Sequence, residues 1–332
     1  MKFYRLFILL ATCLFLSCGL LGKEEEEQPA ISGKIVFSMP DDTESENHQI
    51  YVMNADGSEI QQLTSFENDE AFQPSWSPDG EQVVFVTTLK SSSAGGSLYL
   101  MDADGSNVRP LKERPRSHIV TPGSNPTWSP DGKKIAFDWC TNCELGGRNS
   151  EIFFYDFEAD TVLQVTDHPA RDFHPAWSPD GELLAFVSQR EYYDADTLRF
   201  RGDLYLIGID KLNFHRITET GYARAPIWSA NNSITFRNSA ASGGLYEVNL
   251  QSNQVTRIET PFSNALLPFP LSWSSGKNQL LAYTRELVYP RDNVLWILNL
   301  KENNYENIFS KPSYDNANPA IVGADWYYNE NN

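Results

Sequence analysis

The sequence has little cysteine, little basic charge and no long apolar run. Its four Cys, at 13, 18, 140 and 143, are too few for a disulfide-dense small fold. Zinc would need two more ligands beside Cys140 and Cys143, and no second Cys pair exists. Lys plus Arg is 26 against 44 Asp plus Glu, a formal charge of −18. Long-range repulsion of that sign excludes broad binding to nucleic acid or to an anionic membrane surface, while leaving room for a local basic patch. The most apolar stretch, Phe7 to Leu16, is too short to span a bilayer. No amphipathic helix longer than a turn or two is visible. Gly-x-Ser-x-Gly, His-Glu-x-x-His, a phosphate-cradling loop and a dinucleotide fingerprint are all missing. No catalytic residue, metal or other cofactor is assigned on these grounds. The apolar fraction of 41% and the aromatic fraction of 13% suit a packed core and do not suit a disordered chain.

Lys2 and Arg5 precede the apolar stretch, and Phe15-Leu16-Ser17-Cys18-Gly19 follows it. This arrangement resembles the lipobox of bacterial lipoproteins, with Phe15 where that family prefers Leu. The resemblance implies a lipoprotein signal peptide over 1–17 and lipid on Cys18. The alternative is an ordinary secretory signal with an incidental Cys. Removing 1–17 takes away two basic residues and no acid, so −18 becomes −20. Residues 18–33 then form an acidic tether. Its run Lys23-Glu24-Glu25-Glu26-Glu27 is a solvated, self-repelling spacer. It also resembles the surface-export signal of some Gram-negative lipoproteins. The implied location is the bacterial cell envelope, anchored by lipid to the outer membrane, periplasmic or surface-exposed.

One repeat fills the remainder. Trp76-Ser77-Pro78-Asp79-Gly80 recurs at 128–132 and 177–181, and in decayed form at Trp228 and Trp273, with a last Trp at 326. The spacing stays near 50 residues, which indicates one array. Each unit reads as four short strands. Ser-Pro-Asp-Gly makes a tight turn after the first, because Pro presets φ and Gly accepts the left-handed conformation. The second strand is an unbroken apolar run such as Val83-Val84-Phe85-Val86, buried on both faces. Lys34 to Thr64 contains strands two to four without a first strand. Asn318 to Tyr327 contains a first strand and nothing after it. The two fragments sum to one unit, so the chain is expected to close as an all-β, six-bladed propeller over 34–329, with the C-terminal strand joining the N-terminal blade. A solenoid would need polar caps that neither end shows.

Ile50-Tyr51-Val52-Met53-Asn54-Ala55-Asp56-Gly57 and Leu98-Tyr99-Leu100-Met101-Asp102-Ala103-Asp104-Gly105, with the Trp motif, resemble the WD-like propeller repeats of the TolB family. The family's N-terminal α/β domain has no counterpart here, so its role is not carried over. Related propellers occur in oligogalacturonide lyases. Asp102 to Gly105 looks like the start of a calcium loop but lacks the distal Glu, and a hairpin turn accounts for it. In an exported chain Cys140 and Cys143 are expected to form a small disulfide.

The turns after strands one and three are short, and the loops after strands two and four are long. Of fourteen Arg beyond residue 17, eleven fall in or beside the long-loop set: 114, 116, 148, 171, 190, 199, 201, 224, 237, 285 and 291. Variable loops on a rigid scaffold carry binding, and Arg forks suit carboxylates. The candidate ligand-binding residues are Arg171, His174, Arg190, Tyr222, Arg224, Arg237 and Arg285. Pairing of these Arg with neighbouring acids such as Asp172 is the competing account. The function expected is non-catalytic binding or scaffolding of an envelope protein or an anionic glycan by a monomeric propeller. It would meet the membrane only through its lipid and would bind no nucleic acid. An enzyme acting on acidic oligosaccharides is the alternative.

Overall fold

The computed structural model describes residues 32–41, 47–89, 96–111, 125–141, 149–192, 201–209, 214–229, 232–240, 243–260, 262, 269–274, 279–285, 291–300, 302, 304–313 and 323–327. These form six four-stranded antiparallel sheets. The first blade contains β1 (Lys34–Pro40), β2 (His48–Asn54) and β3 (Gln61–Gln62). The second holds β4 (Asp69–Trp76), β5 (Gln82–Leu89), β6 (Gly96–Asp102) and β7 (Arg109–Pro110). The third is β8 (Thr127–Trp128), β9 (Lys134–Cys140), β10 (Ser150–Asp156) and β11 (Thr161–Gln164). The fourth is β12 (Asp172–Trp177), β13 (Leu183–Ser188), β14 (Asp203–Gly208) and β15 (Phe214–Arg216). The fifth is β16 (Ala223–Ser229), β17 (Ser233–Asn238), β18 (Gly244–Asn249) and β19 (Gln254–Ile258). The sixth is β20 (Phe269–Trp273), β21 (Gln279–Arg285), β22 (Arg291–Asn299) and β23 (Asn304–Ser313). The last strand, β24 (Ala324–Tyr327), pairs with β1 and completes the first blade, as the split repeat predicts. A single 3-10 turn at Arg190–Tyr192 is the one helical piece among the described residues. No helix among them is long and apolar enough to cross a membrane.

The turn motif works through its side chains. The Ser77 hydroxyl donates to Asp79 Oδ1 at 2.5 Å, and that oxygen also accepts the Glu81 N–H at 3.0 Å. The Ser77 carbonyl accepts from Gly80 N, where φ is +73°. The 129–132 and 178–181 turns repeat this pattern. The serine hydroxyl in each holds its Asp below the ordinary carboxylate range.

Blades are joined by tryptophan. The indole N–H of Trp128 donates to the Ser75 carbonyl, that of Trp177 to Thr127, and that of Trp228 to Ala176, at 3.3, 3.2 and 2.9 Å. Each acceptor immediately precedes the Trp of the previous blade. The repeat Trp is therefore a strut between neighbours, which explains its regular spacing. Between the struts, Phe37, Phe85, Phe137, Phe186 and Phe236 stand fully buried, each on its blade's second strand.

Candidate functional site

The innermost strands surround a central cavity of about 640 Å³. Its wall repeats a pattern that starts three residues before each Trp: Gln73-Pro74, Asn125-Pro126, His174-Pro175, Ala225-Pro226. Each leading residue is left-handed, with φ of 50°, 33°, 55° and 46°. Gly323, at the same place before Trp326, has φ +80°. Pro270 occupies the position in the sixth blade, where its ring fixes φ negative. These left-handed residues are bulges: the register of β4 on β5 shifts between Phe72 and Ser75, of β12 on β13 between Phe173 and Ala176, and of β16 on β17 between Arg224 and Ile227. A left-handed non-glycine residue costs roughly 1–2 kcal/mol, so a recurring set must be held by its surroundings.

Hydrogen bonds between blades hold it. Asn125 N donates to Gln73 Oε1 at 3.3 Å, and Gln73 Nε2 returns a bond to Asn125 Oδ1 at 2.9 Å. His174 N donates to Asp138 Oδ1 at 3.3 Å, and Ala225 N donates to His174 Nδ1 at 3.2 Å. These bonds form a polar arc along the channel from the second blade to the fifth. Accepting at Nδ1 leaves neutral His174 with its proton on Nε2. Burial, and then the charges of Arg224 and Arg171, push His174 down to about 3, so the ring stays neutral at physiological pH.

Three arginines stand behind the cavity wall, Arg171 and Arg224 beside His174 and Arg237 over Phe269. Arg171 and Arg224 share one ring, their guanidinium carbons 5.0 and 5.5 Å from the Phe173 centroid. Arg237 lies 3.9 Å over Phe269. Arg224 and Arg237 are direct cross-strand partners. Like charges facing each other across a ladder are unfavourable. Burial, then Arg171 and Arg237, pull Arg224 down to about 10. Arg224 Nη1 donates to the Ala223 carbonyl at 2.6 Å, and Arg171 Nε to Ser150 Oγ at 3.4 Å. The Nε of Arg237 is buried without a hydrogen-bond partner. Asp138 lies within electrostatic reach of Arg171, and Asp203 within reach of Arg224. Asp203 accepts from Tyr192, Arg216, Thr218 and Gly221. Asp138 accepts from His174 N and the Asn125 side chain, and burial pushes it up to about 7.

Of the residues expected to bind, Arg171, His174, Arg224 and Arg237 come together here. Arg190 is elsewhere: it pairs with buried Asp172 at 2.9 Å and lies over Tyr205 and Phe214, so its charge is spent inside its own blade. Tyr222 shares the Arg201 guanidinium with Tyr192, each ring centroid 5.7 Å away. For Arg285 the backbone is described, paired with Asn293, and the side chain is not. Cys140 ends β9 and is disulfide-bonded. Cys18, Cys143, Arg114, Arg116, Arg148 and Arg199 lie outside the described residues. Sequence reasoning missed Gln73, Asn125 and Asp138. The position before Pro, three ahead of each Trp, was the available signal for the first two. Among the described residues, no group of three or more His, Cys, Asp or Glu is arranged to hold a metal ion.

The family model of the TolB beta propeller domain matches residues 83–321. No curated protein matches the chain in sequence. Among solved structures, TolB from Acinetobacter baumannii is similar over 89% of this chain and 67% of its own, at 18% identity and a TM-score of 0.66. The hydrazine synthase of Kuenenia stuttgartiensis is similar over 89% of this chain and 46% of its own, at 14% identity and a TM-score of 0.64. An oligogalacturonate lyase in complex with manganese is similar over 86% and 76%, at 12% identity and a TM-score of 0.51. At these identities the likeness is one of fold, shared by proteins of unrelated activity.

Proposed function

This chain belongs to the TolB β-propeller domain family, and from that premise we propose that it is a lipid-anchored, non-catalytic binding protein of the bacterial cell envelope, engaging a protein partner or an anionic glycan through its long-loop face. The observation that carries this reading is the cross-strand pair Arg224 and Arg237 with Arg171 beside it. Three guanidinium groups gathered at one place attract a negative charge from outside, and low-dielectric walls strengthen that attraction. His174 is a poor general base, since Nδ1 is taken and its proton affinity is low. That favours binding over proton abstraction from an acidic sugar.

The double variant Arg171→Ala/Arg224→Ala should weaken capture of the envelope partner, or binding on an array of acidic glycans, by about tenfold or more. Raised salt should weaken the wild type in the same direction. Its melting temperature should hold, because the lost mutual repulsion offsets the lost attraction to Asp138 and Asp203. Unchanged binding with a sharply lowered melting temperature would make these residues structural and remove the main support for the reading.

Anchoring rests on Cys18. Cys18→Ser should shift the protein from the membrane fraction to the soluble one, or block processing. A variant that stays with membranes at the wild-type mature mass speaks against lipidation.

A further inference from the structure

We propose that blade six is a movable wall of the central cavity. It is the blade that the ring ties least, and it swings outward as a unit while blades two to five stay fixed.

The first argument is where the indole struts stop. Trp128, Trp177 and Trp228 tie blade three to two, four to three and five to four. The next strut would run from Trp273 of blade six to the Ile227 carbonyl of blade five. Instead, Trp273 Nε1 is buried without a hydrogen-bond partner. On the other side, a strut onto blade six would come from Trp326 in β24. That indole turns to the Ser32 carbonyl, just ahead of β1 in its own blade. Neither neighbour is therefore tied to blade six by a repeat Trp. Trp76 Nε1 is unpartnered as well, but replacements cross from blade one to blade two there. Asp325 Oδ2 accepts from Ser75 Oγ and Trp76 N, and the Tyr327 hydroxyl donates to the Asp79 carbonyl.

The cause lies in two side chains. Each strut acceptor faces a cross-strand partner: Ser75 with Val84, Thr127 with Ala136, Ala176 with Ala185. Val84, Ala136 and Ala185 each share a core cluster with the Trp of the next blade. In each of these pairs at most one residue is branched at Cβ. In blade five the pair is Ile227 and Thr235, and both are branched. Ile227 packs in the cluster that contains Trp273, and the added bulk holds the indole off the carbonyl. Thr235 Oγ1 is itself buried without a hydrogen-bond partner. Unmet polar atoms penalise the closed interface, whereas an outward swing lets water reach them.

The channel supplies an independent observation. The arc of bonds along it ends at Ala225, whose N–H goes to His174. Ala225 has no polar side chain with which to continue the arc. Pro270, at the equivalent place in blade six, has no N–H to donate. The struts and the arc thus both end at blade five. Phe269 to Trp273 and Tyr283 are the share of blade six in the cavity wall. Its swing would widen the cavity beyond about 640 Å³ on this side and admit a broader ligand than the closed ring does.

The test is hydrogen exchange of the full chain, read by mass spectrometry. Strands β21 and β22 should exchange together, at least about tenfold faster than β9, β10, β13 and β14. Burial alone predicts no such difference, since Leu280, Leu281 and Ala282 are as buried as Ile135, Ala136 and Phe137. Two variants then separate a working strut from an unused indole. Trp177→Phe keeps an aromatic ring and loses a strut, so the melting temperature should fall by about 2–4 °C and exchange in blades three and four should quicken. Trp273→Phe removes only an unmet N–H, so the melting temperature and the protection of blade six should hold or rise. Equal protection across these blades overturns the proposal. So does a Trp273→Phe variant that loses as much stability as Trp177→Phe. Fast exchange in one of β21 and β22 without the other is fraying of a strand, and it rules out the blade as the moving unit.

Discussion

A chain ending at residue 322 should not yield a monodisperse propeller. The removed strand, β24, is only four residues long, yet it joins two blades. It pairs with β1 from Lys34↔Tyr327 to Phe37↔Ala324. The Trp326 indole donates to the Ser32 carbonyl at 3.1 Å, and its ring is 5% exposed. On the other side, Asp325 Oδ2 accepts from Ser75 Oγ and from Trp76 N, at 3.0 and 2.9 Å. The Tyr327 hydroxyl donates to the Asp79 carbonyl at 3.0 Å. Loss of a buried Trp alone costs about 3–5 kcal/mol, against a total of about 5–15 kcal/mol for an ordinary domain. Losing the strand also uncovers the edge of β1, a template for pairing with other chains. Size-exclusion chromatography with light scattering should show aggregates, and calorimetry should show no cooperative transition at the wild-type temperature. A truncated chain that runs as a monomer and melts normally would refute closure at this seam. Gly323→Val is the milder version, because Gly323 has φ +80° and an added Cβ would sit 2.8 Å from Gln73 Cα.

The blades were readable because their signals are local. The Ser-Pro-Asp-Gly turn satisfies itself within five residues, and the apolar second strand is contiguous. The seam was readable from phase, since one partial unit lacked what the other supplied. Arg171, Arg224 and Arg237 could be placed near the channel because they border first and second strands at the long-loop end. The ring of left-handed residues was not readable in the same way. Its bonds join Gln73 to Asn125, Asp138 to His174 and His174 to Ala225, pairs separated by 52, 36 and 51 residues. Nothing in a local pattern says which side chain will meet a backbone N–H one blade away. Asp138 was hidden for a further reason. It sits inside the run Ile135-Ala136-Phe137-Asp138-Trp139-Cys140 and is as buried as its apolar neighbours. Arg190 carried two accounts from sequence, ligand binding and pairing with a neighbouring acid such as Asp172, and the structure pairs it with Asp172 on the adjacent strand.

Asp138 should make the protein lose stability as pH rises from about 4 to about 7. The folded carboxyl holds its proton until about pH 7, because burial penalises the anion more than His174 N, Arg171 and Asn125 support it. In the unfolded chain the same group releases its proton near pH 4. Between those values the folded state binds more protons than the unfolded state, so stability falls with rising pH. The full difference is on the order of 4 kcal/mol, reached above pH 7. Glu151, raised to about 7 by burial and by the Asp172 charge over the opposing hydrogen bonds of Thr166, His168 N and Asn149, works in the same direction. His174 works in the opposite one, because an imidazole held near 3 loses stability as pH falls below its unfolded value. The total profile mixes these groups, so the clean observable is a difference. Asp138→Asn keeps the size and one acceptor, removes the titration, and leaves Glu151 and His174 in place. At pH 5 it should be less stable than wild type by about 1 kcal/mol, because the amide leaves one oxygen to accept from both His174 N and Asn125, where the carboxyl has two. At pH 8 the deficit should vanish or reverse, since only the wild type then buries a charge. Denaturant melts of both proteins from pH 5 to 8 provide the test. Parallel stability profiles across that range would show that Asp138 stays ionised throughout, and that His174 N, Arg171 and Asn125 support its charge fully.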